Sequence, residues 1–401
     1  MSKRMSKRMN HPSHPRVLMV LEGPYPARNG GGAETQVRTL TRAMRGQGVR
    51  VAVVAPLTEH APQSPVSRVD GVPVFRLRYP RVRLLGGPLL WMALVRFLLA
   101  HRHDYDVWHV HVARQWAVIC TLLGPWLGKR VVIKIAGNWD LERGVLALDR
   151  KPWNKLAKRV LLRAHGWQAI SRRIATTLPT LGVPQSRIWS IPNAVDTARF
   201  QRLSPSSSLS PRFLFIGRLM PEKGLITLLH AFSDIAARHP RAHLTIAGTG
   251  WLRAELEASA QACGIATRVT FTGHRDDIDN LLLDANIGVL PSFTEGLSNT
   301  LLESMAAGLP MIASRISGNE DLIHDGENGW LFEPGDRDGL ARCLDAAASL
   351  LPAQRQRLGE CARRTVSRHA SLEIVVSRLI GFYEGGLCTD DAIAQPRSRE
   401  A

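Results

Sequence analysis

Glu295 and Glu303, separated by seven residues in the segment 288–314 (GVLPSFTEGLSNTLLESMAAGLPMIAS), are two carboxylates around the start of one helical pattern. Ligands collect at such strand-to-helix corners in parallel sheets. Each glutamate also has a plainer reading: Thr300-x-x-Glu303 fits a capping box, and Glu295-Gly296 fits ordinary loop polarity. Arg218 and Lys223, in GRLMPEKGL, flank a loop that runs into a helix N-terminus. Two cations plus free helix amides meet the needs of a diphosphate: charge neutralisation and directed donors, with Arg as a fork and Lys as a point charge. Gly30-Gly31-Gly32 sits between a strand and a helix, where amides without side chains in front of them approach an anion closely. The triplet does not fit G-x-G-x-x-G, so a dinucleotide cofactor is not indicated. His109 and His111 alternate along DVWHVH and face one side. A satisfied or surface imidazole is the ordinary reading of a histidine, yet His111 ends its strand, where sites gather.

The elements that must hold these groups follow from apolar runs. Residues 288–314 read as strand, loop, helix, strand: one βαβ unit, its helix at 301–307 stopped by Gly308-Leu309-Pro310. Upstream, strands are expected at 16–21, 49–55, 72–77, 107–111 and 131–135, with a helix at 33–45. Residues 150–173 read as a helix with Lys151, Lys155, Lys158, Arg159 and Arg163 on or near one side. That is a solvated face or a surface for acidic lipid or phosphate. Downstream, strands at 213–216, 244–247 and 269–271 alternate with helices at 226–238, 255–263 and 278–285. Alternating strands and helices imply parallel sheets covered on both faces. Asp104-Tyr105-Asp106 precedes a strand and reads as a solvated turn, not a metal motif.

With 401 residues the chain is too long for one simple core and implies two domains. Five scattered cysteines, odd in number and without C-x-x-C spacing, exclude a disulfide framework and a zinc site and point to a reducing compartment. The net charge of +18, from 52 basic and 34 acidic residues, favours polyanionic partners. No RNA-binding aromatic motif or zinc finger supports nucleic acid. The start, MSKRMSKRMNHPSHP, is a basic duplication without an apolar region, so it is no secretory signal. Residues 84–100, LLGGPLLWMALVRFLLA, are too short and too interrupted for a membrane span. Their basic flanks and Trp91 suit a helix lying in a membrane interface, the alternative being a buried helix.

Taken together, P-S-x-x-E-G-L with L-L-E-S-M-A-A-G-L-P, and G-R-L-x-x-x-K-G, resemble the retaining nucleotide-sugar glycosyltransferases of the GT-B fold, family 4. P-x-x-G-G-x-E around Gly31, Gly32 and Glu34, and Ile191-Pro192-Asn193-Ala194-Val195-Asp196, extend the likeness over residues 16–387. The resemblance implies an α/β architecture of two Rossmann-like, doubly wound domains facing across a cleft. The divisions it implies are a basic tail (1–15), an acceptor domain (16–196), a linker (197–211, with SPSSSLSP), a donor domain (212–370), a helix crossing back (371–387) and a loose tail (388–401).

The implied reaction is transfer of a sugar from a UDP- or GDP-type donor to a hydroxyl of a saccharide or lipid-linked acceptor, with retention and without metal or cofactor. By the same likeness Arg218 and Lys223 hold the diphosphate, Glu303 the ribose hydroxyls, and Glu295 the sugar hydroxyls. His111 faces the sugar's other side, and Gly31, Gly32, Gly296, Leu297, Ser298 and Asn299 line the donor site. Glu34, Asn138 and Trp139 are acceptor candidates. One departure concerns these last: many relatives carry a histidine where Ala136 stands. The charge and the 84–100 helix add an anionic membrane surface, and hence a cytoplasmic protein on the inner face of the cell membrane, in surface-polysaccharide or glycolipid synthesis. The competing readings are a noncatalytic membrane-binding relative and a nucleotide-sugar epimerase on the same fold.

Overall fold

The computed structural model describes residues 14–26, 31–58, 64–80, 82, 85–137, 140–141, 144–146, 152–200 and 208–386. Two parallel-sheet α/β units make up the chain. The first sheet comprises β1 (Val17–Leu21), β2 (Val51–Pro56), β3 (Val66–Val69), β4 (Val72–Leu77), β5 (Val107–His111), β6 (Arg130–Ile135), β7 (Gly166–Ala169) and β8 (Ile188–Ser190). Its order is β3-β4-β2-β1-β5-β6-β7-β8, and every pairing is parallel except β3 with β4. The central strands are buried along their whole length, because helices cover both faces.

Alternation along β1 divides the core. Val17, Met19 and Leu21 pack with Val37, Leu40 and Met44 of α1 (Gly32–Gly46). Leu18 and Val20 belong to the opposite layer, formed by α2 (Gly86–Ala100), α3 (Gln115–Leu123) and α4 (Pro152–Leu161). A short helix, α5 (Arg172–Thr180), links β7 to β8.

The second sheet comprises β9 (Arg212–Ile216), β10 (His243–Ala247), β11 (Val269–Gly273), β12 (Ile287–Leu290), β13 (Met311–Ser314) and β14 (Gly329–Phe332), in the order β11-β10-β9-β12-β13-β14, all parallel. Its helices are α6 (Thr197–Phe200), α7 (Leu225–Ala236), α8 (Arg253–Ala262), α9 (Ile278–Asp284), α10 (Asn299–Ala307), α11 (Asn319–Leu322), α12 (Arg337–Ser349) and α13 (Pro352–His369). The last helix, α14 (Leu372–Glu384), returns to the first sheet, where Val375, Val376, Leu379, Phe382 and Tyr383 join the α1 side of the core.

The reading of 150–173 as one helix is corrected. α4 stops at Leu161, and Gly166–Ala169 enters the sheet as the fully buried strand β7. A four-residue strand containing a glutamine carries almost no period-2 signal. Gly166 is required there: a Cβ would lie 2.4 Å from the Phe382 ring. The short strands β3, β8 and β14 escaped sequence reading for the same reason. In the 84–100 segment, Gly-Gly-Pro is not a break but the first turn of α2, a position that proline tolerates.

Candidate active site

The carboxyl ends of strands from both sheets converge on a cavity of about 350 Å³. From the first unit come His111 at the end of β5, Lys134 of β6, Ala136 just after it, and Gly32 and Gln36 from α1. From the second come Arg218 after β9, Thr249 after β10, and Glu295 to Glu303 between β12 and α10. Neither α1, whose N-cap is Gly31, nor α10, whose N-cap is Ser298, has a side-chain cap. Both helix starts border the cavity, where a helix terminus favours negative charge, and at α1 the Glu34 carboxylate in the first turn accepts from its own backbone amide.

Two residues assigned separate partners from the sequence are joined in the structure. Lys223 Nζ donates to Glu295 Oε1, and Ser292 Oγ donates to the same carboxylate at 3.1 Å. Both side chains of the ion pair are mostly buried. Arg218 is exposed and bonded to Glu222 at 3.2 Å. Glu303 is not in a capping box with Thr300, because α10 begins two residues earlier than that motif requires, after Ser298. Its carboxyl lines the cavity, and burial pushes its pKa up to about 7, with the nearby Arg199 opposing.

On the opposite wall the His109 and His111 rings stack with centroids 4.4 Å apart. His109 Nδ1 is hydrogen-bonded to the Tyr383 hydroxyl of α14 at 2.6 Å. His111 Nε2 lies 3.3 Å from Met19 Sδ, and its Nδ1 has no protein partner among the described residues. Burial holds His111 neutral, and the charges of His109 and Lys134 add to that effect. Val112, the next residue, has φ of 98°, a conformation costing a β-branched residue about 1–3 kcal/mol. Such strain is often found where a side chain must be held for function.

Between the walls runs a hydrogen-bonded bridge that the sequence reading missed. Asn193 Nδ2 donates to Leu297 O at 2.9 Å and to Asn299 Oδ1 at 3.1 Å. Gln36 Nε2 donates to Ala194 O at 2.8 Å and Asn299 Oδ1 at 3.0 Å, and Asn299 Nδ2 donates to Gly32 O at 3.0 Å. The available signal was Lys134, the single charge in the otherwise apolar run VVIKI.

Of the residues singled out from the sequence, Gly32, His111, Arg218, Lys223, Glu295, Gly296, Leu297, Ser298, Asn299 and Glu303 line this one cavity. Gly31 and Glu34 do not: Gly31 caps α1, and the Glu34 carboxylate lies against Gly31 and Gly23, where a Cβ on either glycine would collide with it. Asn138 and Trp139 lie outside the described residues. Among the described residues no group of three or more His, Cys, Asp or Glu is placed to hold a metal ion.

The fold is shared with Anabaena HepE in complex with UDP-glucose, at a TM-score of 0.74 and 18% identity, over 93% of this chain and 100% of that one. Residues 30–199 match the family model of Glycosyltransferase Family 4, and residues 198–365 that of Glycosyl transferases group 1. The chain belongs to the GT-B glycosyltransferases. This glycosyltransferase is 28% identical to the phosphatidyl-myo-inositol mannosyltransferase of Mycolicibacterium smegmatis over 376 residues, 90% of this chain and 92% of the relative. It is 33% identical to the lipopolysaccharide core biosynthesis glycosyltransferase LpsE of Rhizobium meliloti over 182 residues, 45% of this chain and 51% of that relative.

Proposed function

We propose that this GT-B glycosyltransferase moves a sugar, with retention and without a metal, from a nucleoside-diphosphate sugar to a hydroxyl of a saccharide or lipid-linked acceptor. The observation that carries the reading is the meeting of Arg218, Lys223 and the N-termini of α1 and α10 around one cavity. The barrier in such a transfer is charge building on the departing diphosphate, and preorganised cations and amides lower it. Donor entry would exchange the Lys223–Glu295 pair for two new ones: Lys223 to phosphate, and Glu295 to the sugar hydroxyls. Glu303 takes the ribose, and His111, neutral and anchored through its stacked neighbour, faces the sugar from the other wall. A front-face course, in which the leaving phosphate receives the acceptor's proton, needs no further base. The relatives support donor chemistry of this kind by their names: HepE was crystallised with UDP-glucose, and the M. smegmatis protein is a mannosyltransferase. The test is incubation with a panel of UDP- and GDP-sugars and lipid or saccharide acceptors, with and without chelator. Product with the donor's anomeric configuration, unaffected by chelator, is expected; inverted product, or loss of activity on chelation, defeats those parts of the reading.

The acceptor side is proposed to work at an anionic membrane. The layer α2–α3–α4, with the turn Pro125–Leu127, contains no acidic residue and carries Arg96, Lys155, Lys158 and Arg159. It also exposes Trp91, Met92, Leu122, Trp126, Trp153 and Leu156. Indoles beside cations suit the headgroup boundary of an anionic bilayer. No helix among the described residues is long and apolar enough to cross a membrane. Flotation with anionic vesicles at low salt should carry the protein upward, less so after Trp126→Ser with Trp153→Ser; protein that stays in solution removes the membrane claim.

A further inference from the structure

Lys134 has no place in the reading above, yet it is the most deeply buried cation at the cleft. It is 3% exposed, next to last in β6, and lines the cavity. The parallel register sets His111, Lys134 and Gln168 side by side across β5, β6 and β7 as a row of buried polar residues. The amine has one hydrogen bond, from Nζ to Asn193 Oδ1 at 2.7 Å. Among the described residues no carboxylate compensates it: burial alone acts on the amine and draws its pKa from 10.5 down to about 7. His109 and His111 from β5 are held neutral by burial, Tyr383 of α14 is bonded to His109, and Gln36 of α1 is uncharged. The carboxylates sharing the cavity belong to the far wall, where Glu295 is already paired with Lys223 and Glu303 is raised to about 7.

A buried amine without a counter-ion is costly and is retained where something supplies the missing charge. The hydrogen bonds locate that charge. Asn193, which holds Nζ, also bonds Asn299 and Leu297 at the start of α10, and Asn299 bonds Gly32 at the start of α1. Nζ thus stands one side chain away from the start of α10 and two from the start of α1, the two helix N-termini that border this cavity.

Resting on the reading of the cleft as a nucleoside-diphosphate site, we propose that Lys134 is a third cation of that site, contributed by the first sheet, whose counter-ion is the bound diphosphate. Lys134 would then complement Arg218 and Lys223 from the opposite wall, so that the diphosphate draws the two sheets together. Binding would protonate the amine, and affinity would fall as pH rises through and above about 7.

Calorimetric titration with UDP, GDP and ADP, at pH 7 in two buffers of different ionisation enthalpy, tests this on the wild type, Lys134→Met and Glu303→Gln. The Glu303 variant removes the cavity's own carboxyl group that is raised to about 7. For the nucleotide that binds, proton uptake should persist in Glu303→Gln and disappear in Lys134→Met. The affinity of Lys134→Met should fall about 10- to 100-fold, the scale of a hydrogen bond to a charged group. Wild-type affinity and unaltered proton uptake in Lys134→Met overturn the proposal. If Lys134→Met does not fold, uptake in the wild type and Glu303→Gln decides: uptake supports the assignment and none overturns it. Failure of all three nucleotides to bind the wild type defeats the donor-site reading itself, and this inference falls with it.

Discussion

Replacing Glu303 by glutamine should stabilise the ligand-free protein while weakening its grip on nucleotide. The carboxyl lines the cavity, and burial raises its pKa from an ordinary 4.5 to about 7. The folded state therefore penalises the charged form. Below about pH 4.5 the group is protonated folded or unfolded, and the penalty is absent. Between 4.5 and 7 the unfolded chain releases its proton while the folded one keeps it, so stability declines; above about 7 the loss is complete. At about 1.4 kcal/mol per pH unit this amounts to about 3 kcal/mol, and water admitted by the open cleft trims it to about 2 kcal/mol. Glu303→Gln never acquires the charge. Its melting temperature at pH 8 should exceed that of the wild type by roughly 4–8 °C, with most of the gain gone at pH 5. Differential scanning calorimetry at the two pH values reads this directly. Equal gains at both pH values, or a less stable variant at pH 8, would refute the burial argument. In the same samples nucleotide should raise the variant's melting temperature less than the wild type's, because the ribose has lost its charged acceptor.

Three further outcomes follow from particular contacts. Lys223→Met removes both a diphosphate cation and the partner of Glu295, so nucleotide affinity measured by titration should fall about 10- to 100-fold. Gly224 has φ of 65° and a Cβ there would sit 2.1 Å from Pro291 O, so Gly224→Ala should cost about 2–4 kcal/mol in urea unfolding. Tyr383→Phe strips His109 Nδ1 of its 2.6 Å partner in a buried site and should destabilise by about 1–3 kcal/mol, with nucleotide affinity unchanged.

The sequence carried the fold where strands are long and apolar. RVLMVL could be placed to within a residue because burial on both faces leaves an unbroken hydrophobic run, and DVWHVH because its histidines alternate with apolar residues. It failed at β7 and β14, whose four residues include Gln168 and Gly329 and are recruited by neighbours rather than by their own pattern. Motif residues close in sequence, such as Glu295 and Glu303, were found together. The Lys134–Asn193–Asn299–Gln36 bridge was not, because its members lie on four elements and only the folded chain brings them into contact. The pairing of Lys223 with Glu295 is of the same kind: each residue is visible alone, while their partnership depends on how β12 sits beside β9.

The central claim, a nucleoside-diphosphate site built around Arg218 and Lys223, is met most directly by thermal unfolding against UDP, GDP, ADP and their sugar conjugates, for the wild type and Arg218→Ala. At about a hundred times its dissociation constant a ligand stabilises by about 2.7 kcal/mol, a shift of several degrees. The account predicts such a shift with one nucleotide base, lost or strongly reduced in Arg218→Ala. No shift with any nucleotide, or an equal shift in the variant, would contradict it.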